Sequence, residues 1–234
     1  MPAAVILLAA GQGSRMEGHV ADKALTPLNG VPAIKHSIAA FIAAGLGDPL
    51  IIVYRDDAQR NALQSIAASS VPKPESIVWV PGGSERQESV QHALKATPPD
   101  CEFVYIHDVA RPCIRREAIM ALQTAVERDG AATLAHPIID TIKRIPAGAP
   151  LRAVALEDLD RSRLWAMETP QAFRTAAIRA AHQHVRDNQL KVTDDTAALA
   201  CIGQKSTLVP NPHPNPKLTT PSDLAYIEQL LKFS

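Results

Sequence analysis

Short apolar runs alternate with stretches of helical periodicity from Val5 to Ala135, and this alternation narrows the possible folds more than any other feature of the chain. Residues 5–8, 50–54, 76–80, 103–106 and 131–135 read as buried strands. Between them lies an apparent helix at 32–44, opened by Pro32, with Ile34, Ile38, Phe41 and Ile42 on one face. Further helical stretches fall near 58–68, at 84–95, and at 115–128, where Ile119, Leu122 and Val126 turn inward. Ser84 and Gln87 have the spacing of a capping box. Strand and helix in this order predict an α/β fold: a mostly parallel sheet with helices on both faces. A length of 234 residues fits one such domain, 1–234, with an appendage.

The rhythm fails at 137–165. That segment holds Ile138, Ile139, Thr141, Ile142 and Ile145, a Pro/Gly turn at 146–150, and a charged run at 157–163. It reads as a β-hairpin arm protruding from the sheet. A lone two-stranded hairpin is marginal in water, so a second subunit is the expected packing partner, giving a homodimer. Helical pattern returns at 175–185 and 194–201, a late strand at 206–209, and a terminal helix at 221–231. Three prolines within 211–216 make a rigid loop.

Lys+Arg and Asp+Glu are both 24, so the net charge argues against nucleic acid or an anionic membrane as partner. Aromatics at 4% offer no base-stacking platform. Cys101, Cys113 and Cys201 lack metal-ligand spacing and read as reduced thiols of a cytoplasmic protein. The apolar run at 3–10 lacks the basic flank and cleavage site of a signal peptide, and no apolar stretch reaches membrane-spanning length.

Ligands of open parallel sheets sit beyond the carboxyl ends of the strands, and three polar clusters fall there. The first strand breaks into Ala9, Ala10, Gly11 and Gly13, ends in Arg15, and is followed by Lys23. Small residues let backbone N–H groups approach phosphate oxygens, and Arg15 adds a fixed positive fork. Met16 stands where a dinucleotide fingerprint needs its third Gly, and no Gly-Lys-Ser/Thr follows, so both better-known loops are set aside. The second cluster is Gly82-Gly83-Ser84 with Arg86 and Ser89. The third is His107-Asp108 with Arg111-Pro112. One carboxylate suits Mg²⁺, which takes one or two carboxylates plus phosphates and water. Together the clusters describe a nucleoside triphosphate with its metal. His107 reads as a hydrogen-bonded strand-end histidine, and His182 and His184 as surface residues.

The segments carrying these clusters are A-A-G-Q-G-S-R-M at 9–16, P-A-I-K-H-S at 32–37, G-G-S-E-R-Q-E-S-V at 82–90 and H-D-V-A-R-P at 107–112. They continue as D-T-I-K at 140–143, L-D-R-S-R-L-W at 159–165, T-P-Q-A-F at 169–173, V-T-D-D at 192–195 and N-P-K-L-T at 215–219. In this order and over nearly the whole chain, the sequence resembles the 2-C-methyl-D-erythritol 4-phosphate cytidylyltransferases of the non-mevalonate isoprenoid pathway. The resemblance implies a Rossmann-like nucleotidyltransferase fold whose arm exchanges between subunits of a homodimer. It implies that Ala10, Gly11, Gly13, Arg15 and Lys23 grip the CTP triphosphate, that Gly83, Ser84 and Ser89 read ribose and cytosine, and that Asp108 holds Mg²⁺. Arg111, Thr141, Arg161, Thr169 and Lys217 match positions around the acceptor phosphate, with Thr141 and Arg161 reaching the partner's site. Arg15, Lys23 and Lys217 are the expected catalytic cations.

The chain departs from the family pattern at D-K-A-L-T-P-L-N-G, 22–30, which is similar to a segment of molybdenum-cofactor guanylyltransferases. Ser84, Val109 and Ala200 also replace commoner residues. Rival readings are a cytidylyltransferase for another polyol phosphate such as ribitol 5-phosphate, a guanylyltransferase, and a nucleotide-binding regulatory homologue without turnover. The guanylyltransferase leaves D-T-I-K, T-P-Q and V-T-D-D unexplained. The retained Arg15, Lys23, Asp108 and Lys217 count against loss of turnover.

Overall fold

The structure, a computed structural model, describes residues 1–11 and 22–233. Gly13 and Arg15 therefore lie outside the described residues. The elements run β1 (Ala3–Leu8), β2 (Pro27–Leu28), β3 (Val31–Pro32), α1 (Ala33–Ala43), β4 (Leu50–Tyr54), α2 (Asp57–Ala68), β5 (Val78–Pro81), α3 (Arg86–Ala96) and β6 (Phe103–Asp108). They continue with α4 (Arg116–Asp129), β7 (Ala131–Pro137), β8 (Lys143–Arg144), β9 (Glu157–Asp158), β10 (Trp165–Arg174), α5 (Thr175–Asp187), α6 (Asp195–Ala200), β11 (Thr207–Pro210) and α7 (Ser222–Leu231).

A seven-stranded sheet has the order β11-β7-β10-β6-β1-β4-β5. Every neighbouring pair is parallel except those made by β10, which runs antiparallel to both β6 and β7. Alternating side chains of β1 split the core into two layers. Val5 and Leu7 meet Ile34, Ile38, Phe41, Leu63 and Ile119 on one face. Ala4 and Ile6 meet Val90, Leu94, Ile178, Val185 and Leu199 on the other. Helices α1, α2 and α4 thus cover one face and α3, α5 and α6 the other, as the alternation predicts. Ile227 of α7 closes a smaller cluster with Leu28, Cys113 and Leu218.

Three local expectations change. Residues 165–174, read only as part of motifs, form the longest strand of the sheet. The box at the start of α3 pairs Ser84 with Glu88 and not Gln87: Glu88 Oε2 accepts from both the backbone N–H and the hydroxyl of Ser84, each at 2.8 Å. The helix starts at Arg86 with Glu85 as its cap residue, which moves the reach by one position. In the arm, strand pairing is confined to two residues on each side. Lys143 pairs with Asp158 and Arg144 with Glu157 across it, while Ile139, Leu151 and Leu156 stay exposed.

Candidate active site

The carboxyl ends of β1, β4, β5 and β6 open into one cavity of about 470 Å³, lined by Ala10, Gly11, Lys23, Gly83, Ser84, Ser89, Asp108 and Lys217 among others. The first and second sequence clusters therefore share one space. The turn at Gly82-Gly83 tolerates only glycine. A Cβ on Gly82 would stand 2.7 Å from the Ala10 Cβ, and one on Gly83 2.3 Å from the Glu88 Cβ. The Gly83 N–H donates to the Ser89 hydroxyl at 3.0 Å, which fixes the turn over the first turn of α3. Lys23 reaches across the mouth, its Nζ donating to the Thr219 carbonyl at 3.4 Å. Asp22 shapes the turn that carries Lys23, accepting from the N–H groups of Ala24 and Leu25 at 2.9 and 3.2 Å. The unusual D-K-A-L segment thus holds the lysine by a local carboxylate.

A second cavity of about 280 Å³ lies alongside, lined by Arg86, Asp108, Arg111, Thr169, Asp194 and Lys217 among others. Arg86, Asp108 and Lys217 line both cavities. Lys217 Nζ donates to Asp108 Oδ2 at 2.6 Å and Arg86 Nε to Asp108 Oδ1 at 3.1 Å. Burial alone would raise the Asp108 pKa, but Arg86 and Lys217 outweigh it and hold the carboxyl well below the usual carboxylate range. Asp108 is therefore a permanent anion at the wall between the cavities.

The partners of these groups come from distant segments. Arg86 Nη2 donates to Asp195 Oδ2 at 2.8 Å, and Asp195 Oδ1 lies 3.0 Å from His182 Nε2. Both Asp195 and His182 are buried, so His182 is not the surface residue the sequence suggests; His184 is exposed. Thr169 sends its hydroxyl into the wall, accepting the Asp108 N–H at 3.1 Å and lying 3.2 Å from His107 Nδ1. His107 touches the Ser37 hydroxyl through Nε2 at 3.3 Å. Burial lowers its pKa to about 4, so it is a neutral strut and not a base, as expected. Arg111 Nη1 donates to the Asn215 carbonyl at 2.6 Å. Asn215 in turn donates to Glu168 Oε2 at 2.9 Å and to the Thr169 carbonyl at 3.0 Å. Asn211 gives Glu168 a further donor at 2.9 Å. This lattice clamps the proline-rich loop onto β10 and delivers Lys217 to Asp108.

Ala10, Gly11, Lys23, Gly83, Ser84, Ser89, Arg111, Thr169, Asp108 and Lys217 thus converge on two adjoining spaces. Thr141 and Arg161 do not. Both are exposed on the arm, and Arg161 Nη1 donates to the Ile139 carbonyl at 2.6 Å. Sequence reasoning placed Arg86 in the second cluster but gave it no role; in the structure it joins Asp108 to Asp195. It missed Glu168 and Asp195, which the T-P-Q and V-T-D-D segments flank or contain.

Comparison with known proteins agrees with this geometry. A family model for 2-C-methyl-D-erythritol 4-phosphate cytidylyltransferase matches residues 3–232. The protein of that name from Halalkalibacterium halodurans is 38% identical over 232 residues, spanning 99% of this chain and 97% of its own. Its counterpart from Streptomyces avermitilis is 37% identical over 234 residues, with 97% and 91% covered. The crystal structure of the Thermus thermophilus enzyme superposes with a TM-score of 0.79 at 28% identity, over 99% of this chain and 100% of that one. The 4-diphosphocytidyl-2C-methyl-D-erythritol synthase of Anaerococcus prevotii gives 0.83 at 24% identity, over 99% and 96%, a likeness of fold. With a match running from the first strand to the terminal helix and a site assembled from the matched segments, the chain belongs to the family of 2-C-methyl-D-erythritol 4-phosphate cytidylyltransferases.

Proposed function

We propose that this protein transfers the cytidylyl group of CTP to 2-C-methyl-D-erythritol 4-phosphate and releases pyrophosphate. The observation that carries the reading is the pair of adjoining cavities that share Arg86, Asp108 and Lys217. One is walled by the glycine turns and Lys23, suited to a nucleoside triphosphate. The other is walled by Arg111 and Thr169, suited to a phosphorylated acceptor. An acceptor phosphate oxygen attacks the α-phosphorus of CTP, a new P–O bond forms, and the bond to the β-phosphate oxygen breaks. A phosphate monoester is already anionic near neutral pH, so no general base is required. The task is to bring two polyanions together. Lys23, Lys217 and Arg15 offset that repulsion and stabilise charge on the transferring group.

Mg²⁺ is the proposed metal, and the donor chemistry suits it. Asp108 is ionised, faces both cavities and is surrounded by side chains that prefer phosphate. Among the described residues no group of three or more His, Cys, Asp or Glu could hold a metal unaided. A site of one carboxylate completed by substrate phosphates and water therefore fits the residues present. When bound there, the ion supplies neutralisation of developing charge on the phosphate oxygens. Asp108 would hold it, and Lys217 and Arg86 would turn from the carboxylate to the phosphates.

The arm supports a homodimer. Ile139, Leu151 and Leu156 are too exposed for an isolated hairpin, and Thr141 and Arg161 acquire a function only in a neighbour's acceptor cavity. Cys101 and Cys113 are buried free thiols, which suits a reducing cytoplasm. Among the described residues no helix is long and apolar enough to cross a membrane.

Pyrophosphate release from CTP and Mg²⁺, measured with 2-C-methyl-D-erythritol 4-phosphate and with ribitol 5-phosphate, tests the reading. The expected result is turnover with the first and a kcat/KM at least about tenfold lower with the second, the scale of discrimination from one lost polar contact. Release with neither acceptor would leave a nucleotide-binding homologue, and preference for ribitol 5-phosphate would change the acceptor.

A further inference from the structure

Lys23 sits in the segment where the chain departs from the family pattern, and a buried set of polar contacts centred on Asp22 pins that segment. Asp22 Oδ1 accepts from the N–H groups of Ala24 and Leu25. Its Oδ2 accepts from Gln59 Nε2 at 2.6 Å and lies 3.2 Å from Arg55 Nη2. Gln59 of α2 is itself buried. Its Nε2 also donates to the Ala9 carbonyl at 3.0 Å, and its Oε1 accepts the Arg55 N–H at 2.6 Å. These bonds join the end of β1, where the glycine loop begins, to the end of β4 and to the turn that carries Lys23. Helix α1 fixes the far side of that turn: the Ile34 N–H donates to the Ala24 carbonyl at 3.1 Å and the Ala33 N–H to the Thr26 carbonyl at 2.9 Å. Only a carboxylate offers an acceptor to all four nitrogens around Asp22. An amide of the same shape would turn its own N–H groups toward either the turn or Gln59 and Arg55. Arg55 also offsets the negative charge that Asp22 would otherwise place beside a polyphosphate, since Arg55 and Lys23 line the nucleotide cavity.

We propose that Asp22 is a positioning residue. Through Gln59 and Arg55 it locks Lys23 against the end of β1, so that the lysine meets charge developing on the transferring group without first having to reorganise. This inference rests on Lys23 acting in the cytidylyl transfer proposed above. It adds the carboxylate that makes the lysine rigid.

The test is a double-mutant cycle of Asp22→Asn and Lys23→Ala, read as kcat for pyrophosphate release and as CTP affinity by calorimetry without acceptor. Asp22→Asn should lower kcat by about tenfold to a hundredfold, the scale for a misplaced catalytic group. Its CTP affinity should stay near the wild-type value. In the Lys23→Ala background the same substitution should lower kcat by less than about twofold, because residues that act as a unit are not additive. Arg55→Gln, at a more exposed position, should repeat this pattern with a smaller loss, and it stands in if Asp22→Asn does not fold. Losses that multiply in the double variant overturn the inference, because Asp22 would then serve the fold and not the lysine. Native kcat in a folded variant, or an equal fall in kcat and CTP affinity, overturns it as well. Wild-type protein that releases no pyrophosphate overturns the proposed reaction and this inference with it. Wild-type turnover with multiplied losses overturns this inference alone.

Discussion

Lys217 Nζ lies 2.6 Å from Asp108 Oδ2, joining the C-terminal loop to the end of the strand at the sheet's centre across 109 positions of sequence. The contact is built, not incidental. Asn215 ties the loop to Glu168 and Thr169, and Arg111 ties it to β6's following turn. The cation that would meet the reacting phosphates is therefore positioned by side chains that need not touch substrate.

Asn215→Ala should show this directly. It removes two donors and leaves the buried Glu168 carboxylate with one fewer partner, a cost of about 1–3 kcal/mol. Chemical denaturation should report that loss, and kcat should fall with it because Lys217 is no longer delivered. A variant with native stability and native kcat would mean that the loop is held by something else.

Asp108→Asn should shift the Mg²⁺ activation curve to higher concentration while circular dichroism stays native, because the amide keeps the shape but not the charge. An unchanged curve would reduce Asp108 to a partner for Arg86 and Lys217.

His107 gives a pH signature. Its pKa falls from the ordinary 6.5 to about 4 because it is buried, so between these values the unfolded chain binds a proton that the folded one does not. Stability should then fall as pH drops from about 6.5 toward 4, with a slope of up to about 1.4 kcal/mol per pH unit from this group. His107→Gln should flatten that part of the stability–pH curve. An identical slope in the variant would assign the acid sensitivity elsewhere.

The arm is tested by complementation. Lys23→Ala should lower kcat by at least about a hundredfold, the scale for one preorganised donor, and Arg161→Ala should lose acceptor turnover. In a mixed dimer one site receives both defects and the other neither. Activity restored on subunit exchange, with mixed dimers verified by native mass spectrometry, is the expected result. Verified mixed dimers as inactive as both parents would confine the arm to packing.

The sequence by itself determined the strand–helix rhythm, the two-faced core and the clusters at the strand ends, because each of these is written in local periodicity or in residues a few positions apart. Ala4, Val5, Ile6 and Leu7 are all apolar, so β1 has to be covered on both faces, and the two core layers cover it. Only the tertiary structure decided the rest. β10 is buried along most of its length, yet Glu168, Thr169, Pro170 and Gln171 erase any strand pattern. These polar groups are affordable in the interior because Asn211, Asn215, His107 and Asp194 arrive from distant segments to bond them. His182 reads as surface for the same reason: its burial depends on Asp195, which reaches it only when α6 packs on α5. Arg86 and Lys217 became parts of one site when the sheet brought Asp108 between them. Short-range pattern encodes apolar burial, whereas a buried polar group is legible only once the fold supplies its partner.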